Sequence, residues 1–268
     1  MKNKLQIKII MLQSWKLLKG CKWPLWLIVA SGLLLPCLFA GIVGPHVFQS
    51  QEFSLSKSTF LLINTIITAP LATGALLIGI KKARGESISY RAGFLYFNHW
   101  VSLAIAGVIV FLVYQVVSVL GLSFENHLAA SLAGIVSYFL MPFFILAQPL
   151  IVDKKLKIFP AIQKSIYLGG KNWLKIIILF FSVSFASLLC LILGFIAVRI
   201  IQIPVLYLVF LILKNTSIDS LLFFHQHLLL IVNILPGAAL ITMFVWIIPY
   251  FIMINSQIYC KLIDETNP

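Results

Sequence analysis

The chain reads as an all-α polytopic membrane protein: a helical bundle of six transmembrane helices, paired as three hairpins, with amphipathic juxtamembrane helices on the cytoplasmic side. Three observations predict this. Six apolar runs are each at least about 20 residues, enough to cross a ~30 Å hydrocarbon core as a helix. Hydrophobic residues make up 61% of the chain and charged residues 10%, against about 45–50% and 25% in soluble domains. Of the 20 Lys and Arg residues, all but Lys57, Arg199 and Lys214 fall in four patches that alternate with the apolar runs. The positive-inside rule then puts both termini in the cytoplasm.

The elements follow in order. Residues 1–23 form a basic arm (Lys2, Lys4, Lys8, Lys16, Lys19, Lys22) that mixes cations with Leu, Ile and Trp. Such a piece lies in the headgroup plane, apolar side down. The first two spans are Pro24–Val47 and Thr59–Ile80. A basic loop with Lys81, Lys82, Arg84 and Arg91 leads into Trp100–Leu122 and Leu128–Val152. A second basic loop holds Lys154, Lys155, Lys157, Lys164, Lys171 and Lys175. The last spans are Ile176–Val198 and Leu228–Ile254, and the tail carries Lys261. Between those spans lies Ile200–Leu213, with Pro204 inside it. It is too short to cross and reads as interfacial or re-entrant; were it to span, the helices would number seven and the tail would lie outside. The whole chain, 1–268, is expected to form a single transmembrane domain.

Charge and cysteine patterns exclude several classes. The net charge of +13 is concentrated on the cytoplasmic side, so the basic balance is a topology signal. It also predicts attraction to anionic lipid headgroups, at roughly 1 kcal/mol per base near the surface. Nucleic-acid binding is not indicated, because the aromatics lie in the spans and not among the bases as stacking platforms. No run alternates with period two, which excludes a β-barrel. Cys21, Cys37, Cys190 and Cys260 form no CxxC pair, so neither a zinc site nor a disulfide framework is suggested. The proline before Cys37 argues against a lipoprotein cleavage box, and the first apolar run is too long for a signal-peptide core.

A degenerate triplicate runs through the chain. Ser14–Trp23, Ser89–Trp100 and Ser165–Trp173 each place Ser, an aromatic, Gly and Trp before an outward span. Each return span carries a proline, Pro70, Pro142 or Pro249, 11 or 12 residues before the next charged residue in the chain. Chance offers the competing explanation, since Ser, Gly and Trp are common at membrane edges. Gly20, Gly93, Gly169 and Gly170 permit a bend from surface helix to span. The stretch Ala83–Glu86 reads as a loop cap, with Ser87 starting the next helix.

Chemistry-bearing residues are sparse. His46, His127, His225 and His227 lie on the predicted outer side; imidazoles with Glu125 or Asp219 nearby suit a divalent metal, but their spacing matches no ligand motif. No Asp, Glu or Lys sits near a bilayer midplane, where ion-coupled transporters usually need charge. Asn64, Gln148 and Asn233 are polar residues within spans that would either line a solute path or satisfy backbone freed by prolines. Lys82, Arg84, Lys154, Lys155 and Lys157 are the expected lipid-headgroup contacts. No nucleophile elbow, P-loop, dinucleotide fingerprint or HExxH occurs.

Two stretches carry a resemblance. Ala69–Phe97 resembles the Pro-x-x-x-Gly span and basic loop of a family of uncharacterised bacterial six-span inner-membrane proteins. Ala147–Ile176 is similar to that family's Pro-Leu-hydrophobic-Asp stretch, surface helix and Asn-Trp. The plan also looks related to the membrane domain of some glycerophosphodiester phosphodiesterases, whose catalytic domain has no counterpart here. Ala69 departs from the Gly that the family often places before this proline. The resemblance implies a fold and a bacterial inner-membrane location, not a reaction. The expected role is non-catalytic, without a cofactor, acting through membrane lipids or a membrane partner; the alternative is a channel or permease for a small solute or lipid.

Overall fold

The computed structural model describes residues 6–43, 55–122, 127–213 and 245–264. The described residues are all-α, and no strand occurs among them. The helices are α1 (Ile7–Leu18), α2 (Lys22–Val43), α3 (Leu55–Ala83), α4 (Trp100–Leu122), α5 (His127–Phe144), α6 (Ala147–Asp153), α7 (Ile158–Leu213) and α8 (residues 245–263). Two 3-10 turns, Tyr90–Gly93 and Leu95–His99, precede α4. Among the described residues, four helical stretches are long and apolar enough to cross a bilayer: Thr59–Ala83, Tyr96–Val117, Ser131–Asp153 and Ile158–Ala197. The expected first and last spans fall partly outside the described residues. Two compact units are found, one of residues up to Leu179 together with those from Pro249, the other Phe180–Ile248.

Proline and threonine chemistry shapes α3. Pro70 cannot donate a backbone bond, yet the helix continues through it. Threonine hydroxyls bond back to carbonyls four residues earlier on both sides: Thr65 to Leu61, Thr68 to Asn64 and Thr73 to Ala69, each at 2.8 Å. In a segment without water, these bonds keep the hydroxyls satisfied within the helix. The helix stops by a Schellman motif. Gly85 takes φ +79, the Glu86 N–H returns to the Lys81 carbonyl at 2.9 Å and the Gly85 N–H to Lys82 at 3.1 Å. This stop holds Arg84 at the helix end.

The next return stretch differs from the single span expected over Leu128–Val152. It breaks at Ile145–Leu146 into α5 and α6. Pro149 explains the break, since it offers no N–H to Ile145 and its ring crowds that carbonyl. Helix α6 ends at Asp153, where Lys155 adopts the left-handed region (φ 51).

Helix α7 corrects the reading of the second basic loop. A surface helix, a span from Ile176 and a separate Ile200–Leu213 piece were expected; one helix runs from Ile158 to Leu213. Gly169 and Gly170 do not end it, and Pro204 lies inside it. Gly169 serves close approach: a Cβ there would collide with the Pro142 carbonyl oxygen. Next to it, Ser165, fully buried, donates to the Phe143 carbonyl at 2.7 Å. Ser87 starts no helix; Ser89 caps the first 3-10 turn by accepting from the Arg91 N–H at 3.3 Å. Gly20 (φ +90) makes the turn from α1 into α2.

Small residues carry the packing of the first unit. A Cβ on Gly74 would collide with the Gly93 carbonyl, and one on Gly79 with the Ser256 side chain. Lipid tails are as apolar as leucine, so helices in a bilayer gain little by hiding leucines and much by close backbone approach. Leu18, Cys21, Leu25, Ile28, Leu71, Ala75, Ile78 and Met253 form one buried cluster that joins α1, α2, α3 and α8.

Candidate functional site

Three helix C-termini meet at the basic end of the first unit. Arg84 follows α3, Asp153 ends α6 and Asp264 follows α8. A helix C-terminus carries about half a negative charge. Two carboxylates placed there add to that field, and a cation is needed among them. Arg84 supplies it. Its Nη1 and Nη2 donate to the two Asp153 oxygens at 2.7 and 2.9 Å. Its Nε and Nη2 donate to Asp264 Oδ2 and Oδ1 at 2.8 and 2.9 Å. One planar fork thus grips two carboxylates, a geometry that a lysine cannot copy.

Two further groups complete the cluster. The Tyr259 hydroxyl, on α8, donates to Asp153 Oδ2 at 2.7 Å. Lys154 Nζ lies 3.5 Å from Asp264 and 3.7 Å from Asp153. The side chains of Asp153, Arg84 and Asp264 are 14%, 24% and 32% exposed. The hydrogen bonds to Asp153, then those to Asp264, hold the Arg84 guanidinium protonated far above its ordinary range. Burial, then the bond to Asp153, pushes the Tyr259 hydroxyl up. Burial also pushes the Cys260 thiol up to about 12, and its Sγ lies 3.9 Å from the Ile80 carbonyl.

A second polar joint lies farther into the same two helices. Thr73 Oγ1 is 2.8 Å from the Ala69 carbonyl and 3.1 Å from Gln148 Oε1, sharing one proton between these acceptors. Gly107 of α4 closes this joint, since a Cβ there would touch Ala69, Thr65 and Gln148. Asn64 Oδ1 is buried with no hydrogen-bond partner among the described residues.

The sequence candidates divide accordingly. Arg84 is committed to two aspartates. Lys154 flanks them, Lys155 and Lys157 are exposed, and Lys82 is half-buried with Nζ near Gly20. Gln148 is paired with Thr73 and makes no hydrogen bond to Asn64 Oδ1. His127 opens α5, whereas His46, His225, His227 and Asn233 lie outside the described residues. Among the described residues, no three His, Cys, Asp or Glu side chains converge to hold a metal. Sequence reasoning missed the clamp. Its one signal was Asp153, which stands between the end of an apolar run at Val152 and the second basic patch. No protein family, curated relative or solved structure matches the chain.

Proposed function

We propose that this is a non-catalytic integral protein of the bacterial inner membrane that acts through anionic lipid at its cytoplasmic, basic end. The observation that carries the reading is the coincidence of exposed cations and exposed aromatics around the start of α7. Lys154, Lys155, Lys157, Lys171 and Lys175 are exposed, and Phe159 and Tyr167 are 77% and 66% exposed beside them. Trp23, at the start of α2, is 71% exposed. Exposed lysines interleaved with exposed aromatics are what a headgroup layer selects.

The same reading takes the spans as six, in three hairpins, with both termini cytoplasmic. Its support is the way the juxtamembrane segments pack. The Trp15 ring packs edge-on against the Tyr250 ring at 5.6 Å between centroids, Gly93 abuts Gly74, and Gly169 abuts Pro142. Each juxtamembrane segment of the triplicate thus rests on a Pro-bearing return stretch. Arg84, Asp153 and Asp264 then close the ends of those three stretches on one another, an arrangement suited to a pseudo-threefold axis. The likeness of Ala69–Phe97 and Ala147–Ile176 to the uncharacterised six-span family is part of this proposal. A permease draws less support, because Thr73 and Gln148 close on each other across the seam where a path would run.

The test is native mass spectrometry of the parent and of K155Q/K157Q, which leaves the aspartate clamp intact. Loss of two bases near the surface should weaken phosphatidylglycerol retention about tenfold or more. Equal retention by parent and variant would remove the lipid reading.

A further inference from the structure

Lys82 holds its charge where no acid meets it. It lies in the last turn of α3 and is half-buried. Among the described residues its ammonium forms no ion pair or hydrogen bond, and Asp153 and Asp264 are already committed to Arg84 and Lys154. Burial pushes the Cys21 thiol up to about 11, and the Lys82 ammonium is close enough to oppose that rise. The ammonium also lies beside the turn from α1 into α2, 3.9 Å from where a Cβ on Gly20 would stand. Gly20 is exposed and holds φ +90, so no side chain covers the charge there. The carboxyl end of α1 offers about half a negative charge, whereas a half-buried ammonium is stabilised by a full one. An apolar stripe begins three residues beyond Gly20. Trp23, Leu27, Leu34 and Leu38 of α2 are each more than half exposed, and their spacing keeps them on one side of the helix. From Trp23 to Leu38 the helix rises about 22 Å, more than one leaflet of a ~30 Å hydrocarbon core. Lys22 Nζ stands 5.6 Å over the Trp23 ring, and Lys19 is exposed at the same turn.

We propose that Lys82 and the Gly20 turn seat the phosphate of one anionic phospholipid, with Lys19 and Lys22 at the rim, and that a chain of that lipid lies along Trp23, Leu27, Leu34 and Leu38. This rests on the lipid reading above but uses other elements than α7. It separates a built seat from a diffuse attraction. Lys155 and Lys157 raise the local concentration of anionic lipid, and Lys82 holds one molecule of it. An ammonium set back from the surface asks for an anion that can reach in past Gly20. The apolar stripe that starts at the same turn asks for a hydrocarbon tail on that anion. A phospholipid meets both demands, and a soluble anion meets only the first.

The test is photo-crosslinking of the full chain in phosphatidylcholine nanodiscs that carry a small share of phosphatidylglycerol with a diazirine on one acyl chain. Labelled residues are mapped by peptide mass, and the same diazirine on phosphatidylcholine is the control. The phosphatidylglycerol probe should label Trp23 and Leu27 above the control. K82Q should cut that excess about fivefold, the effect of one base near the surface, and K82R should restore it. Unchanged α2 labelling in K82Q, with phosphatidylglycerol retention still lost in K155Q/K157Q, overturns the seat and leaves the lipid reading standing. No excess of the anionic probe anywhere on the chain takes down the lipid reading itself. Equal loss of both probes in K82Q, or no rescue by K82R, reduces Lys82 to a packing role and overturns the seat. Competition by glycerol phosphate as effective as that by unlabelled phosphatidylglycerol overturns the assignment to lipid.

Discussion

Helices α3 and α6 are joined at two places by different chemistry. At Thr73–Gln148 the joint is neutral, a hydroxyl and an amide within the apolar layers. At Arg84–Asp153 it is ionic and lies at the helix ends, where Asp264 and Tyr259 bring in a third helix. The neutral joint replaces nothing that water offered, since the unfolded chain in a bilayer also finds partners for its polar groups. The ionic joint neutralises charges that the helix ends themselves make unfavourable. The difference teaches that hydrogen-bond count is a poor guide to what holds the helices together; the electrostatic setting of each bond decides.

The largest expected effect comes from breaking the ionic joint. R84Q leaves two carboxylates facing three negative helix ends. Removing one partner of a fully buried pair costs about 3–5 kcal/mol, and partial exposure reduces this to about 2–3 kcal/mol. Unfolding in mild detergent should register that loss. R84K should recover less than half of it, because an ammonium cannot serve both aspartates. Full recovery by lysine would reduce the clamp to a generic charge effect.

The neutral joint should matter less. T73V and Q148L should each cost about 1 kcal/mol, and their double-mutant cycle should give a coupling near 0.6 kcal/mol. A coupling larger than the loss in R84Q would invert the ranking drawn here. The smallest effect is expected at the turn that follows Asp153. Lys155 holds φ 51 without being glycine, so K155G should relieve strain and stabilise by at most about 1 kcal/mol. Destabilisation by K155G would mean that its ammonium contributes to the clamp.

These joints also mark how far the sequence could be read. The expected Trp100–Leu122 span coincides with α4, and Thr59–Ile80 falls within α3, because an apolar run bounded by charge determines such segments almost alone. The break before Ala147 needed the backbone consequence of Pro149, not its hydropathy. The continuity of α7 was hidden because Gly169, which suggests a bend on a surface, serves close packing on Pro142. The clamp was least legible of all. Arg84 reads as a loop cap and lipid contact, and nothing local links it to Asp264, so far along the chain. Tyr259 gave no signal, being one more aromatic in an apolar helix.

That separation has a consequence in time. Arg84 and Asp264 stand 180 residues apart, so during synthesis the guanidinium emerges long before the second carboxylate exists. Asp153 can occupy it in the interval, but the joint stays half made until α8 arrives. A chain cut short before residue 259 would carry an Arg84 with one aspartate and no cover from Tyr259. The ionic end is thus complete only once the last helix has been delivered.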